Sequence, residues 1–357
     1  MNIFWFIPTI GDSRYLNSAK HSREVDFSYC KQIAEATDRL GYEGVLIPTG
    51  ASCDDAWVTA SMLAPLTKKL KFLIAVRPGF IQPVVAARMT STFDRFSDGR
   101  LLINVVAGGD PQEQAADGLD LPHDERYDLV DEFLDIFKPV LDGDKVEYSG
   151  KYLKTTGGKL QKLPLQRPYP PLYFGGSSDA GLRVAGKHID TYLTWGEPVD
   201  QVREKIERVK AEAKKHNRSI RFGIRLHVIV RETNEEAWEE ANNLIQFITD
   251  EEIQKAQAYF TKMDSQSQKN MAALHKGNRH NLEIAPNLWA GLGLVRRGAA
   301  TALVGDAETV LARLKEYEAL GIEDFILSGY PHLEEAYRTA ELLFPLLKEE
   351  KILKESA

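Results

Sequence analysis

The segment Gly223-Ile224-Arg225-Leu226-His227-Val228-Ile229-Val230 reads as a buried strand that carries an arginine and a histidine two residues apart. Side chains alternate across a strand, so Arg225 and His227 share one face with Gly223 and Ile229. If that face lines the mouth of a closed sheet, the two groups form part of a cationic, proton-active pocket. The other reading is a pair of structural polars, since a buried arginine is rare and must be paired. Which reading applies depends on the fold, and the fold depends on how often such runs recur.

Eight short apolar runs are present: Ile3–Pro8, Gly44–Pro48, Lys71–Val76, Leu101–Val106, Pro171–Gly175, Thr191–Trp195, Arg221–Val230 and Asp324–Ser328. Most are β-branched or aromatic and lack strict polar alternation, the pattern of strands covered on both faces. Helical patterns lie between them, at Tyr29–Leu40, Pro83–Phe96, Glu125–Leu141, Val199–His216, Glu235–Ile248 and Ala307–Leu320. Eight strand-helix alternations in one chain predict an α/β fold, a (β/α)8 TIM barrel, with a doubly wound open sheet as the competing arrangement. The expectation is a single barrel domain over 1–357. It carries insertions near 142–170, rich in Gly, Lys and Pro, and near 250–305, rich in Gln, Asn, His and Gly. Long irregular stretches are uncommon in compact domains without a functional reason, and the second reads as a mobile lid.

Composition excludes several classes of function. A 357-residue chain with 43% hydrophobic residues can bury a large core. A net charge of −7 offers no basic face for nucleic acid and no polybasic stretch for anionic lipid. Two cysteines, Cys30 and Cys53, are too few for a disulfide framework. Met1–Pro8 lacks the basic start of a signal peptide, and no apolar run approaches the roughly 18 residues of a membrane span. The default is a cytoplasmic protein whose partners are small molecules or proteins.

Catalytic side chains of such barrels collect where strands end and βα loops begin. The unusual residues fall there: Thr49, Gly50, Ser52 and Cys53 after the second run, Arg77 after the third, Ala107-Gly108-Gly109-Asp110 after the fourth. The fifth ends in Gly175-Gly176-Ser177-Ser178, the sixth in Thr194-Trp195-Gly196-Glu197, and the eighth in Ser328-Gly329-Tyr330-Pro331-His332. The Gly/Ser turn leads into a helix, so its N–H groups and hydroxyls could cradle a phosphate, or it could serve only as an N-cap. Gly181 to Lys187 spells G-x-x-x-x-G-K, but His188 replaces the Ser or Thr of a P-loop and the segment lies within a helix. Cys53 is open to reading as a nucleophile or as a small buried apolar group. No clustered His, Asp or Glu spacing points to a metal.

Together these stretches resemble the bacterial luciferase-like flavin monooxygenases, and within them the FMNH2-dependent alkanesulfonate monooxygenases. The resemblance runs through FWFIPT (4–9), DRLGYEGVLIPTG (38–50), SCDDAW (52–57), FLIAVRPG (72–79), DGRLLINVVAGGDPQE (98–113), HDERY (123–127), PYPPLYFGGSS (168–178), YLTWGEP (192–198), FGIRLHVIVRET (222–233), NLWAGLGLVR (287–296), TALVGD (301–306) and SGYPHLEEAYR (328–338). It implies a homotetrameric barrel enzyme that takes reduced FMN from a separate NAD(P)H-dependent flavin reductase and, with O2, converts an alkanesulfonate to aldehyde and sulfite. It further implies that Arg225 and Arg296 hold the sulfonate with His227 beside them, that Tyr330 supports the oxygenated intermediate, and that Cys53 lies near the flavin. His332 and Trp195 share that pocket by the same resemblance. Tyr127, Gly176 and Ser177 or Ser178 would hold the FMN phosphate, and Ala107 would line the flavin ring. Guanidinium forks suit a permanent anion with several oxygens, and closure of the loop carrying Arg296 would exclude water.

Departures from that pattern concern the substrate. Ile10 stands where the resembled enzymes usually have His, which removes a polar donor facing the substrate, and Ala51 stands where they usually have Arg. Arg297 and Ala300 replace glycines of the lid. The chain also stops after Ala357, short of a C-terminal extension that many of those enzymes carry. Ile10 with Ala51 admits a second reading, a monooxygenase of a bulkier sulfonate such as a sulfonated sugar, or of another organosulfur compound. A third is a non-catalytic flavin-binding relative, and a deazaflavin-dependent barrel oxidoreductase is more distant still.

Overall fold

The computed structural model describes residues 1–350; the last seven positions of the expected 1–357 domain lie outside the described residues. Eight parallel strands close into a barrel: β1 (Asn2–Phe6), β2 (Gly44–Ile47), β3 (Lys71–Val76), β4 (Leu101–Val105), β5 (Leu172–Phe174), β6 (Thr191–Trp195), β7 (Arg221–Arg225) and β8 (Ile322–Ile326). Each pairs with its neighbours in sequence, and β8 closes on β1 through Asn2 opposite Asp324 and Phe4 opposite Ile326. This is the (β/α)8 barrel, and the open doubly wound sheet is excluded by the closure. Phe4, Phe6, Leu46, Leu73, Leu102, Tyr173, Leu193 and Ile326 pack together as one buried cluster across the strands. The larger core lies between barrel and helices, where Trp5, Phe72, Phe133 and Phe174 are fully enclosed. No helix among the described residues is long and apolar enough to cross a membrane.

The seventh run departs from its reading. It is two strands, because β7 ends at Arg225 and His227–Arg231 leaves the barrel to pair in parallel with Ala302–Asp306 in a separate four-stranded sheet. The backbone bonds place the change of partner on the edge facing β6: the Gly196 N–H still reaches the Arg225 carbonyl, whereas the His227 N–H bonds Thr301, while on the other edge the Leu226 and Val228 N–H groups bond the Ile326 and Ser328 carbonyls. A continuous apolar run cannot reveal a change of partner, since both neighbours want buried side chains. The eighth strand likewise stops at Ile326, which leaves Ser328 in the loop at the mouth of the barrel.

The two long stretches also contain more structure than their composition suggests. Residues 250–305 form helices Asp250–Phe260 and Gln266–His275, a hairpin of Glu283–Ala285 with Leu288–Trp289, and the strand from Ala302. Their start signals are present in the sequence. Thr249 and Glu252 make a reciprocal capping box, and Ser265 accepts from the Gln268 N–H. In 142–170 a hairpin joins Val146–Ser149 to Lys154–Gly158, and Glu132 accepts the Lys151, Tyr152 and Leu153 N–H groups.

The end of that excursion is tied to the barrel by Asp94. Its buried carboxylate accepts from the Leu165 N–H at 2.7 Å, the Gln166 N–H at 2.9 Å and the Gln166 side-chain amide at 2.6 Å. Leaving buried donors unpaired costs about 1–3 kcal/mol each, with partial relaxation. Asp94→Ala is therefore expected to lower the unfolding free energy by about 2–4 kcal/mol, read from urea denaturation. A loss under about 1 kcal/mol would show that the excursion does not depend on this carboxylate.

Candidate active site

The C-terminal ends of the strands surround a cavity of about 350 Å³. Barrel residues supply its base, among them Phe6 of β1, Leu46 of β2, Asn104 of β4, Leu193 of β6 and Arg225 of β7. The segment 250–298 forms its cover, through Met263, Ser265, Gln268, Arg296 and Arg297. Several bonds hold that cover down. Arg126 bonds Asp264 at 2.6 Å, Ser177 shares a hydroxyl bond with Ser267 at 2.5 Å and Tyr259 donates to Asp110, while within the cover Gln268 accepts from the Gly298 N–H at 2.8 Å.

Two guanidiniums give the cavity its charge. Arg225 is only 7% exposed, yet no carboxylate among the described residues lies within ion-pair reach of it. It donates to the carbonyls of Leu226 at 2.7 Å and Ile326 at 3.3 Å and to the Ser328 hydroxyl at 2.8 Å, and it lies over the Phe6 ring at 4.7 Å. Burial, with Arg296 adding to it, pulls its pKa down to about 9, which leaves it charged at neutral pH. Arg296 donates to the Tyr330 hydroxyl at 2.8 Å and to the carbonyls of Arg297 at 3.0 Å and Ala299 at 2.8 Å, again all neutral acceptors. Arg297 differs, because Asp110 at 3.5 Å and Glu113 at 3.3 Å offset its charge. Ala300 is fully buried beneath the cover.

Behind the arginines stands a stack of rings. His227 lies parallel to Tyr330 with centroids 5.6 Å apart, and Tyr330 meets His332 edge-on at 4.8 Å. Both nitrogens of His227 are occupied: Nε2 is 3.2 Å from the Ala299 carbonyl and Nδ1 is 2.8 Å from the Ser328 hydroxyl. A carbonyl only accepts, so these partners assign the proton to Nε2 and make Nδ1 the acceptor from Ser328. Burial first, then Arg225, Arg296 and His332, push the His227 pKa well below the usual range, so the ring is neutral. His332 is buried as well, with Nδ1 2.9 Å from Asp12 and Nε2 unpartnered. His227, Tyr330 and His332 are thus brought together but stand behind the lining residues Arg225, Arg296 and Phe6.

The remaining candidates lie on other walls. Cys53 is half-buried and lines the cavity, as does Trp195, while Ile10 sits at the rim with 44% of its surface exposed. Ala51 is exposed, beside these residues in the same loop. Cys30 is packed in the core.

Ala107, Tyr127, Gly176 and Ser177 also line the cavity. Ser178 does not line it; its hydroxyl caps helix Asp179–His188 by accepting from the Gly181 N–H at 3.2 Å. The cradle requires a glycine at 175, where a Cβ would come within 2.8 Å of the Leu193 carbonyl, and is tight at Gly176, where one would come within 3.1 Å of the Phe174 ring and 3.2 Å of the Tyr127 hydroxyl. Burial raises the Tyr127 pKa, which keeps the phenol a donor. A close backbone approach, hydroxyls and a helix N-terminus are what a phosphate requires, so the residues present fit the terminal phosphate of FMN. Asp131, Asp135 and His188 form a grouping with metal-ligand spacing elsewhere, but Lys187 Nζ bonds both carboxylates, at 2.8 and 2.9 Å, and fills the cation's place.

Asp12 and Thr9 are not singled out by the sequence, and Ser328 is marked only as part of the stretch that ends the eighth run, with no role of its own. Asp12 and Ser328 act on residues 320 and 101 positions away, so no local pattern marks them. A buried aspartate in the turn after β1 was the available signal for the first.

A model of the luciferase-like monooxygenase family matches residues 1–324. Among solved structures, a riboflavin lyase with modified FMN and riboflavin is similar over 99% of this chain and 93% of its own, with 20% identity and a TM-score of 0.83. A long-chain alkane monooxygenase is similar over 99% and 92%, with 21% identity and a TM-score of 0.76. An F420-dependent secondary alcohol dehydrogenase in complex with an F420-acetone adduct is similar over 96% and 98%, with 17% identity and a TM-score of 0.69. At these identities the likeness is one of fold.

The chemistry of Cys53 follows from its surroundings. Burial raises its pKa, and the Thr9 hydroxyl and Arg297 offset only part of that rise. The thiol is therefore protonated at neutral pH and becomes a thiolate only above its ordinary range. Alkylation of Cys53 by iodoacetamide at pH 7.5, followed by peptide mass spectrometry, should be several-fold slower than that of an unperturbed thiol and should climb as pH rises past 9. A rate already at its plateau by pH 7.5 would contradict a neutral Cys53.

Proposed function

The chain belongs to the luciferase-like monooxygenase family, and from that premise we propose that it is the oxygenase of a two-component system acting on organosulfonates. The proposed reaction takes an alkanesulfonate, O2 and FMNH2 to an aldehyde, bisulfite, FMN and water. The reduced flavin would come from a separate NAD(P)H-dependent flavin reductase. The observation that carries this reading is the pair Arg225 and Arg296, two guanidiniums at one cavity whose hydrogen bonds all go to neutral acceptors. Such a pair leaves uncompensated positive charge in a low-dielectric setting, which a sulfonate offsets with several oxygens at once.

The residues divide the work accordingly. Gly176, Ser177 and Tyr127 would hold the FMN phosphate, and Ala107 would lie against its ring. Bound reduced flavin supplies the two electrons that activate oxygen. Arg225 and Arg296 bind and orient the sulfonate, and Phe6 and Trp195 enclose its carbon portion. The Tyr330 oxygen accepts from Arg296 Nε, which ties the phenol behind the cavity wall to the guanidinium that lines it. The cover over residues 250–298 excludes water. Cys53, held as a neutral thiol, acts as a polar wall near the ring rather than as a nucleophile.

Ile10 favours a variant of this reading. An exposed apolar side chain at the rim suits a bulkier or more apolar sulfonate, or another organosulfur substrate, better than a short alkanesulfonate. The same proposal includes a cytoplasmic setting and a homotetramer. Val58 and Met62, one turn apart on helix Ala56–Leu63, are 60% and 49% exposed and offer an apolar face for self-association.

Sulfite release with a flavin reductase, NAD(P)H and FMN, across sulfonates from methane to octane with taurine, an aromatic sulfonate and a sulfonated sugar, tests the reading. Sulfite from any of them is expected, with preference for the larger members if Ile10 shifts specificity; no sulfite from all would redirect the assignment to a different substrate. Loss of a charge-assisted bond of about 1.5–3 kcal/mol should make Arg225→Ala lower kcat/KM roughly 10- to 150-fold. Light scattering should give a mass above that of one chain, and a monomer would remove the tetramer from the proposal.

A further inference from the structure

The two histidines behind the arginines are held in opposite ways. His227 has both nitrogens engaged, so its proton cannot leave Nε2 without breaking the bond to Ala299. His332 has one nitrogen engaged and one free. The difference comes from Asp12, in the turn after β1. Its carboxylate receives His332 Nδ1 at 2.9 Å, the His332 peptide N–H at 2.9 Å, the Tyr29 hydroxyl at 2.5 Å and the Ser13 N–H at 2.9 Å. Burial opposes ionisation of Asp12, but the contacts with His332 and Tyr29 outweigh it and lower its pKa. An ionised carboxylate only accepts, so the Nδ1 of His332 must carry a proton.

The same contacts fix the backbone. The Trp5 indole donates to the His332 carbonyl at 3.0 Å while Asp12 holds its N–H, which pins the residue two places after Tyr330. The His332 ring is then held between Phe6, at 5.6 Å, and Tyr330, whose hydroxyl bonds Arg296.

Resting on the reading of this cavity as an active site, we propose that Asp12 is a positioning residue: it sets His332 in the form protonated at Nδ1, leaves Nε2 as the free imidazole nitrogen beside Tyr330, and seats Tyr330 against Arg296. Asp12 touches neither substrate nor cofactor. Its effect passes through His332, much as a carboxylate fixes the tautomer of a catalytic or metal-binding histidine.

The test is ring ¹⁵N NMR of the full-length protein labelled at histidine, with the His332 signals assigned by their loss in His332→Gln. The native protein should show a protonated Nδ1. Asp12→Asn keeps the shape but presents both an amide N–H and an oxygen, so His332 should become a mixture of tautomers; Asp12→Ala should abolish the preference. Tyr29→Phe, which removes another donor to Asp12 and leaves its bond to His332, should keep the native pattern. Should Asp12→Ala fail to fold, Asp12→Asn decides alone. In turnover, Asp12→Asn should lower kcat at least tenfold with the KM for reduced FMN within twofold, and the double variant with His332→Gln should be no slower than His332→Gln alone. An unchanged His332 spectrum in folded Asp12→Asn, or losses that simply add in the double variant, would overturn the proposal. The spectrum requires no substrate, so its outcome stands whether or not a sulfonate is turned over.

Discussion

The site depends on a buried guanidinium that has no carboxylate partner among the described residues. Arg225 sits at the end of β7, where the barrel interior meets the cavity, and its charge is held by two carbonyls, one hydroxyl and the face of Phe6. None of these neutralises it. A cation kept in low dielectric without a counter-ion constrains its neighbours, since any nearby group that can lose a positive charge will do so. His227 is therefore neutral, while the arginines stay charged and the cavity presents fixed positive charge to whatever enters.

The Ser328 hydroxyl is where that constraint passes from one element to the next. It accepts from Arg225 and donates to His227, and it can do both because β8 stops at Ile326 and leaves the serine in a loop. The break at Leu226 has the complementary effect. By sending His227–Arg231 to pair with Ala302–Asp306, it draws the segment bearing Arg296 over the mouth of the barrel and places the Ala299 carbonyl against His227. One change of strand partner thus supplies both the cover and half of the imidazole's environment. Arg297, next to Arg296 in the cover, adds little to the cavity's positive charge, because Asp110 and Glu113 pair with it.

The barrel was legible because its signal is periodic and repeated eight times, and because unusual residues at strand ends have few structural explanations. Arg225, Arg296, His227, Tyr330 and His332 converge as that pattern suggests. Other features were illegible for separate physical reasons. The division at Leu226 leaves no mark, since no glycine or proline interrupts Leu226-His227-Val228 and both sheets bury the same side chains. The helices within 250–305 were hidden by polar composition, although the Thr249/Glu252 and Ser265/Gln268 pairs announce their starts. At Ser178, where the sequence leaves a phosphate ligand and an N-cap both open, the hydroxyl accepts from the Gly181 N–H as a helix cap. Asp12 and Ser328 could only be found in three dimensions, because what they do is defined by partners far along the chain.

Two histidines that look alike in sequence also become distinguishable by what their second nitrogen meets. A ring whose partners are a carbonyl and a hydroxyl is locked, and its use is to hold Ser328 and support Tyr330 by stacking. A ring whose partner is an ionised carboxylate has its orientation fixed and its far nitrogen left open. Tyr330 lies between them with its hydroxyl on Arg296, so the guanidinium, the phenol and the two imidazoles form one continuous set of contacts.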